Sequence, residues 1–142
     1  MARWIIRCYG NDRRNLFDEQ YRGQPPAVRA EFRATLNGLR DQPIDGWSRA
    51  AGFDRLSGAY RDLGKLLFKA ANAQHRPLGF FGPGENEFTL LIWATERDQK
   101  FDPPGVRDTA LQRMRAIQNG TAKTYEFDFE EIRRRTEREG DA

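Results

Sequence analysis

Lys65, Lys69, Arg76 and Arg97 are the side chains of this sequence whose types and spacing can do chemistry together. RNA can be cleaved without a metal, because its 2′-OH can attack the adjacent phosphate. A protein that promotes this must accept the 2′ proton, neutralise the pentavalent phosphorane and protonate the 5′ leaving oxygen. Lysine can accept a proton when neighbouring cations depress its pKa. Arginine holds its proton and offers a planar fork to phosphate oxygens. Lys100 and Arg61 flank the set in sequence and are candidates for binding the RNA backbone. The competing reading is a solvated face of a sheet, where lysine and arginine are common.

Other chemistries find less support. His75 is the only histidine and Cys8 the only cysteine, so the His/Cys ligand sets of ordinary zinc sites are missing. A Ser-His-Asp or Cys-His arrangement would need His75 as its base, and His75 falls on a hairpin, where a surface position is expected. Cys8 lies in an apolar run and is expected to be a buried, inert thiol. There is no Walker A loop, and the glycines around Gly82 suit a turn. No metal or cofactor is expected.

The elements that must position the cations can be read from periodicity. Three strands are predicted, over Leu63–Asn72, His75–Gly82 and Phe88–Thr95, with Arg97 following the third. Alternation puts Leu66 and Phe68 on one face of the first strand, and Lys65, Leu67 and Lys69 on the other. Phe88, Leu90 and Ile92 alternate with Leu91 and Trp93, so the third strand is apolar on both faces and belongs inside the sheet. Ala71 to Gln74 and Gly82 to Asn86 are the predicted turns. Pro77 has no N–H for a ladder and is expected at a bulge or a non-bonded position.

Upstream, Trp4 to Tyr9 is a β-branched and aromatic first strand, central or buried on both faces. Arg13 to Arg22 reads as a short helix with Phe17 and Tyr21 as an i,i+4 pair. Pro26 opens a stronger helix with Val28, Phe32, Leu36 and Leu39 as its apolar stripe. These two helices form a hairpin that should pack on a sheet. Ile44 to Gly58 is a connector pinned by Trp47, Phe53 and Leu56. Downstream, Thr95 to Asp102 reads as a charged loop. Pro103-Pro104 then opens a last helix with the stripe Val106, Ala110, Met114 and Ile117, stopped by Asn119-Gly120. Tyr125, Phe127 and Phe129 alternate with acids, allowing a short strand, and Glu130 to Ala142 is a charged tail, either a solvated helix or disordered.

At 142 residues the chain suits one domain. It has no run of about 18 apolar residues and no signal-peptide core, and its single cysteine fits a reducing cytosol. Residues 124–142 hold seven acids and four arginines, or −3, so the net +3 leaves +6 on residues 1–123. A basic body suits a polyanionic partner.

The order of strand, helical hairpin, connector, three antiparallel strands and helix resembles the RelE/ParE toxin superfamily of toxin–antitoxin modules, in its HigB-like, phage-derived branch. The resemblance runs through Phe53–Gly58, Leu63–Phe68, His75–Phe81, Phe88–Arg97 and Ala110–Arg113, covering about residues 4–118. It implies an α+β fold with a small twisted antiparallel sheet, an N-terminal helical hairpin and a C-terminal helix. The RelE-like toxin domain would span residues 1–120, with a charged C-terminal extension over 121–142.

The activity implied is ribosome-dependent cleavage of mRNA, which inhibits translation. Arg76 would stabilise the transition state on the phosphate, Lys65 would match a strand lysine proposed as proton acceptor, and Lys69 and Arg97 would match further cations on mRNA or phosphate. The partners implied are the ribosome, its mRNA and a cognate antitoxin, a small helix-turn-helix protein covering the cationic face or docking on the helical hairpin.

The sequence also departs from the family. Lys65-Leu66-Leu67 stands where a Glu-Leu-Arg-like triplet is usual, Glu96-Arg97 replaces paired lysines, and Phe101 is the nearest aromatic to a position where some relatives have tyrosine. The alternative within the superfamily is a ParE-like poison that binds DNA gyrase without cleaving RNA; the arginine lost at Leu67 favours it. A degenerate member that only binds a partner is a third reading.

Overall fold

The structure, a computed structural model, describes residues 3–129. The β-branched run at the start forms β1 (Ile5–Gly10). Asn15 then caps α1 (Leu16–Arg22) by accepting from the Asp18 backbone N–H, one of the donors a helix start leaves unpaired. Pro26 occupies the first turn of α2 (Pro26–Leu39), where its missing N–H costs nothing. Val28, Phe32, Leu36 and Leu39 are all buried, as the stripe predicts.

The middle of the chain is short strands: β2 (Phe53–Arg55), β3 (Gly64–Leu66), β4 (Phe68–Ala70), β5 (Ala73–His75), β6 (Leu78–Phe81), β7 (Glu87–Ile92), β8 (Thr95–Arg97) and β9 (Lys100–Asp102). Then come α3 (Val106–Gln118) and β10 (Lys123–Glu126). They build a six-stranded sheet in the order β10-β1-β7-β6-β3-β2 and a four-stranded sheet in the order β4-β5-β8-β9. The fold is α+β.

The sheet differs from the expected antiparallel one. β1 pairs parallel with β7, while its other neighbour, β10, is antiparallel. Parallel pairing needs a long crossover, and the helical hairpin together with the intervening strands supplies it. β7 lies between β1 and β6, the interior place its two apolar faces require.

Each of the three predicted strands is broken in two. The breaks fall at Leu67, at Arg76-Pro77 and at Trp93-Ala94, side by side across the sheet. Pro77 is central to this: it stands outside both ladders, so no strand partner meets its missing N–H, while its carbonyl accepts from Leu66 N at 2.9 Å. Arg76 N donates to Ala94 O at 2.7 Å across the same line. The four-stranded sheet therefore continues the six-stranded one around a corner, with Arg76 on the corner.

Two more segments differ from expectation. The connector holds β2, an edge strand paired with β3. The charged loop is the hairpin β8–β9, closed at Asp98 and Gln99 with φ of 52° and 65°. The β4–β5 hairpin closes in the same way, at Ala71 and Asn72 with φ of 52° and 61°. Two successive residues at positive φ match the right-handed twist of the flanking strands.

Two apolar cores sandwich the six-stranded sheet. On one face Phe17, Tyr21, Phe32 and Leu36 from the helical hairpin meet Phe88, Leu90, Trp93 and Phe127. On the other, Val106, Ala110, Met114 and Ile117 from α3 meet Leu63, Leu78, Leu91 and Ile92. Full burial of each large apolar side chain contributes roughly 1.5–3 kcal/mol. Phe127 makes residues beyond 121 part of this core, and β10 is the short strand that the Tyr125/Phe127/Phe129 alternation suggests. The predicted charged tail, Glu130 to Ala142, lies outside the described residues. Trp47 packs among Trp4, Phe53, Phe81 and Phe88, so it serves the core. Among the described residues no helix is long and apolar enough to cross a membrane.

Candidate functional site

The four-stranded sheet aligns one row of side chains. Lys69 on β4 pairs with Gln74 on β5, Gln74 with Glu96 on β8, and Glu96 with Phe101 on β9. Directly paired residues share a face of the sheet, so this row projects together. Lys65 lies on the face of its strand that also carries Leu67 and Lys69; Leu66 and Phe68, on the other face, are buried.

Arg76 and Lys65 converge on Glu96. Arg76 Nε is 3.1 Å from Glu96 Oε2, and Lys65 Nζ is 3.6 Å from the same oxygen. The side chains are only 12%, 15% and 16% exposed for Arg76, Lys65 and Glu96, so solvent screens this cluster less than a surface pair. Two further contacts hold the guanidinium. Arg76 Nη1 donates to His75 O at 2.9 Å, and Nη2 to Gln74 Oε1 at 3.2 Å. The corner sets the backbone of Arg76, and these partners orient its fork before any ligand arrives. Two cations around one carboxylate leave a net +1, a site for an anionic group able to displace Glu96 as partner.

The other predicted cations are placed differently. Lys69 is exposed at the far end of the row. Arg97 and Lys100 pair with each other next to the β8–β9 turn, and the pleat turns them to the face opposite Glu96 and Phe101. Arg61 is exposed just after a 3₁₀ turn at Gly58–Tyr60. The structure thus brings Lys65 and Arg76 together, leaves Lys69 on their side, and separates Arg97 and Lys100 from them. Glu96 is the residue that sequence reasoning missed. It is visible there as the acid displacing an expected lysine, but only the β5–β8 pairing shows that it faces Lys65 and Arg76.

An open groove of about 710 Å³ runs along the four-stranded sheet past Gln74, Thr95, Glu96 and Arg97. Asp98 and Asp102 line it too, so its outer end is acidic.

His75 is not on the surface. It is 4% exposed, stacked on Phe68 at 5.2 Å with 15° between the rings, and its Nδ1 accepts from Trp93 Nε1 at 3.1 Å. The reason lies in the pairing: His75 sits opposite Phe68, on the core face of the hairpin. Burial lowers its pKa; the Ala70 backbone opposes this and the neighbouring charge of Arg76 adds to it. His75 supports the corner from behind and lies on the face away from the Arg76–Glu96 contact. Cys8 is fully buried, and burial, ahead of the charge of Asp18, pushes its thiol far above the usual range, as suits an inert side chain. Among the described residues no group of three or more His, Cys, Asp or Glu side chains is arranged to hold a metal ion.

No protein-family model matches the chain, and no curated protein matches it.

Proposed function

We propose that the protein is a RelE-like toxin that cleaves ribosome-bound mRNA by metal-independent phosphoryl transfer at Lys65, Arg76 and Glu96. The single observation that carries this reading is the convergence of Arg76 and Lys65 on one oxygen of Glu96. An RNA phosphate entering the corner takes over the donors of both cations and leaves the Glu96 carboxylate as a proton acceptor. The 2′-OH gives its proton to Glu96 as its oxygen bonds to phosphorus. Arg76 holds the charge that grows on the phosphorane. The bond from phosphorus to the 5′ oxygen then breaks, and Lys65, the donor in the resting ion pair, protonates that oxygen. The products are a 2′,3′-cyclic phosphate and a 5′-hydroxyl. This assigns proton acceptance to Glu96 and proton donation to Lys65, where the family resemblance implies Lys65 as acceptor.

The strand, helical hairpin, bent sheet and terminal helix support the RelE-like assignment, and the antitoxin it implies would act by covering the corner. A second reading, a ParE-like protein that binds DNA gyrase without cleaving RNA, draws on the same carboxylate. Glu96 already neutralises part of the cationic set, and Leu67 adds no charge to it.

Primer extension on a defined mRNA, with and without purified ribosomes, separates the two. Cuts that need ribosomes and vanish in Arg76→Ala are expected. Absence of cuts from folded wild-type protein, with gyrase inhibition in their place, would establish the second reading.

A further inference from the structure

His75 and Trp93 form a second link across the corner, behind the Lys65–Arg76–Glu96 cluster. Arg76 N donates to Ala94 O at 2.7 Å. One residue back on each segment, the indole Nε1 of Trp93 donates to His75 Nδ1 at 3.1 Å. The His75 carbonyl in turn accepts from Arg76 Nη1 at 2.9 Å. The place of His75 therefore enters directly into the set of the Arg76 fork.

Both rings are held. Trp93 lies against Phe17, Phe32 and Phe68, with ring centres 5.9, 5.0 and 6.0 Å away, and its backbone N donates to Gln20 Oε1 at 3.0 Å. These partners belong to α1, α2 and β4, so the helical hairpin helps to fix where the indole N–H points. An indole N–H only donates, so Nδ1 of His75 is the bare nitrogen and Nε2 carries the ring proton. Nε2 is buried, and the Ala70 backbone favours a proton there without closing a hydrogen bond. A second proton, on Nδ1, would set two donors against each other 3.1 Å apart in a buried site.

Arg76 adjoins the ring, and its charge adds to burial in disfavouring the imidazolium. Lys65, Lys69 and Glu96 stand on the other face of the sheet, and Thr95 is the strand partner of His75. We infer that Trp93 and His75 position the cleavage site: a neutral imidazole accepting from the indole N–H holds the His75 carbonyl, and through it the guanidinium of Arg76, in the orientation that receives the phosphate. Both are positioning residues and touch no reacting atom. Their part in cleavage rests on the RNA-cleaving reading; their hold on Arg76 does not. Protonation of His75 breaks the link, so the fork loosens as pH falls.

The test uses the full chain with ¹⁵N-labelled arginine and histidine. The Arg76 Nε–H signal, assigned by its loss in Arg76→Lys, is followed by NMR from pH 8 to pH 5 beside the His75 ring signals. In wild type the two should change together, with one midpoint below the ordinary histidine value of 6.5. Glu96→Gln removes the titrating partner of Arg76, and the shared midpoint should persist in it. His75→Asn puts an amide oxygen in place of Nδ1, which keeps an acceptor for Trp93 and cannot titrate, so the transition should disappear. His75→Leu has no acceptor and should show the loosened signal already at pH 8. Single-turnover cleavage at pH 8 should be near wild type for His75→Asn. For His75→Leu it should be roughly 10- to 100-fold slower, the range for a reacting group misplaced by about 1 Å.

A His75 titration that leaves the Arg76 signal in place, in wild type or in Glu96→Gln, would overturn the inference. So would an Arg76 transition that keeps its midpoint in His75→Asn. Should a His75 variant fail to fold, the titrations of wild type and Glu96→Gln decide alone. Absence of wild-type cleavage would overturn the nuclease reading, while the titrations still judge the hold on Arg76.

Discussion

Arg76 and Glu96 hold each other across the corner of the sheet, with Nε 3.1 Å from Oε2. Each comes from a strand that breaks at that corner, and β5 and β8 pair only two residues deep beside it. The contact therefore depends on the bend: a flat continuation of the three hairpin strands would carry both groups but would not close them around Lys65. Function in this account lies in how the sheet folds over at Pro77.

Arg76→Ala should remove the main stabiliser of the phosphorane. Cleavage should fall by roughly 100- to 1,000-fold, the usual cost of losing one preorganised donor to a developing oxyanion. The side chain is only 12% exposed and pairs with Glu96, so the melting temperature should fall as well. Arg76→Lys keeps the charge and loses the fork, so it should lose most of the cleavage with a smaller fall in melting temperature; full cleavage by folded Arg76→Lys or Arg76→Ala would contradict the role of Arg76.

Glu96→Gln keeps the shape of the side chain and removes its charge. If Glu96 takes the 2′ proton, cleavage should fall by about 100- to 10,000-fold. RNA should bind at least as tightly as to wild type, because Arg76 and Lys65 lose a competing anion. A binding titration beside single-turnover cleavage checks both halves; weaker binding with unchanged turnover would contradict the assignment.

His75 gives the fold a pH dependence whose sign can be worked out. Its pKa in the folded protein lies below the ordinary value of 6.5, so the unfolded chain takes up a proton first as pH falls. The stability due to neutral His75 is complete above about pH 6.5 and is lost progressively as pH drops toward the folded-state value. Melting temperatures of wild type and His75→Gln between pH 8 and pH 5 should therefore converge toward the acid end. Parallel curves would show that His75 does not carry this dependence.

Gly79 is required by close approach. A methyl group there would meet Thr89 O at 2.6 Å and Phe88 Cζ at 2.6 Å, both on the neighbouring strand β7. Gly79→Ala should destabilise the protein by about 1–3 kcal/mol, the usual cost of overpacking, measured by urea unfolding. Gly38, on α2, has nothing within 4 Å of the corresponding position, so Gly38→Ala should be neutral or stabilising.

Helices and core were legible in the sequence because their signals are local. The stripes Val28/Phe32/Leu36/Leu39 and Val106/Ala110/Met114/Ile117 are buried as read, and Pro26 marks the start of its helix. The hairpin β8–β9 was not, because Asp98-Gln99 closes it without the glycine that usually marks such a turn. The parallel pairing of β1 with β7 depends on contacts more than 80 residues apart, which no local pattern encodes. The site was half legible. Lys65 and Arg76 stand out as strand-borne cations, while the place of Glu96 depends on register, and so does the burial of His75, which follows from its pairing with Phe68.

The most direct test of the account is the chemistry of the cut ends. Ribosome-programmed mRNA should be incubated with wild type and with Glu96→Gln, and the fragments identified by mass spectrometry. A 2′,3′-cyclic phosphate on the upstream fragment and a 5′-hydroxyl on the downstream one, formed by wild type and strongly reduced in the variant, is the predicted result. A 5′-phosphate on the downstream fragment, or continued cutting where the nucleotide 5′ to the cleaved bond is 2′-deoxy, would contradict it.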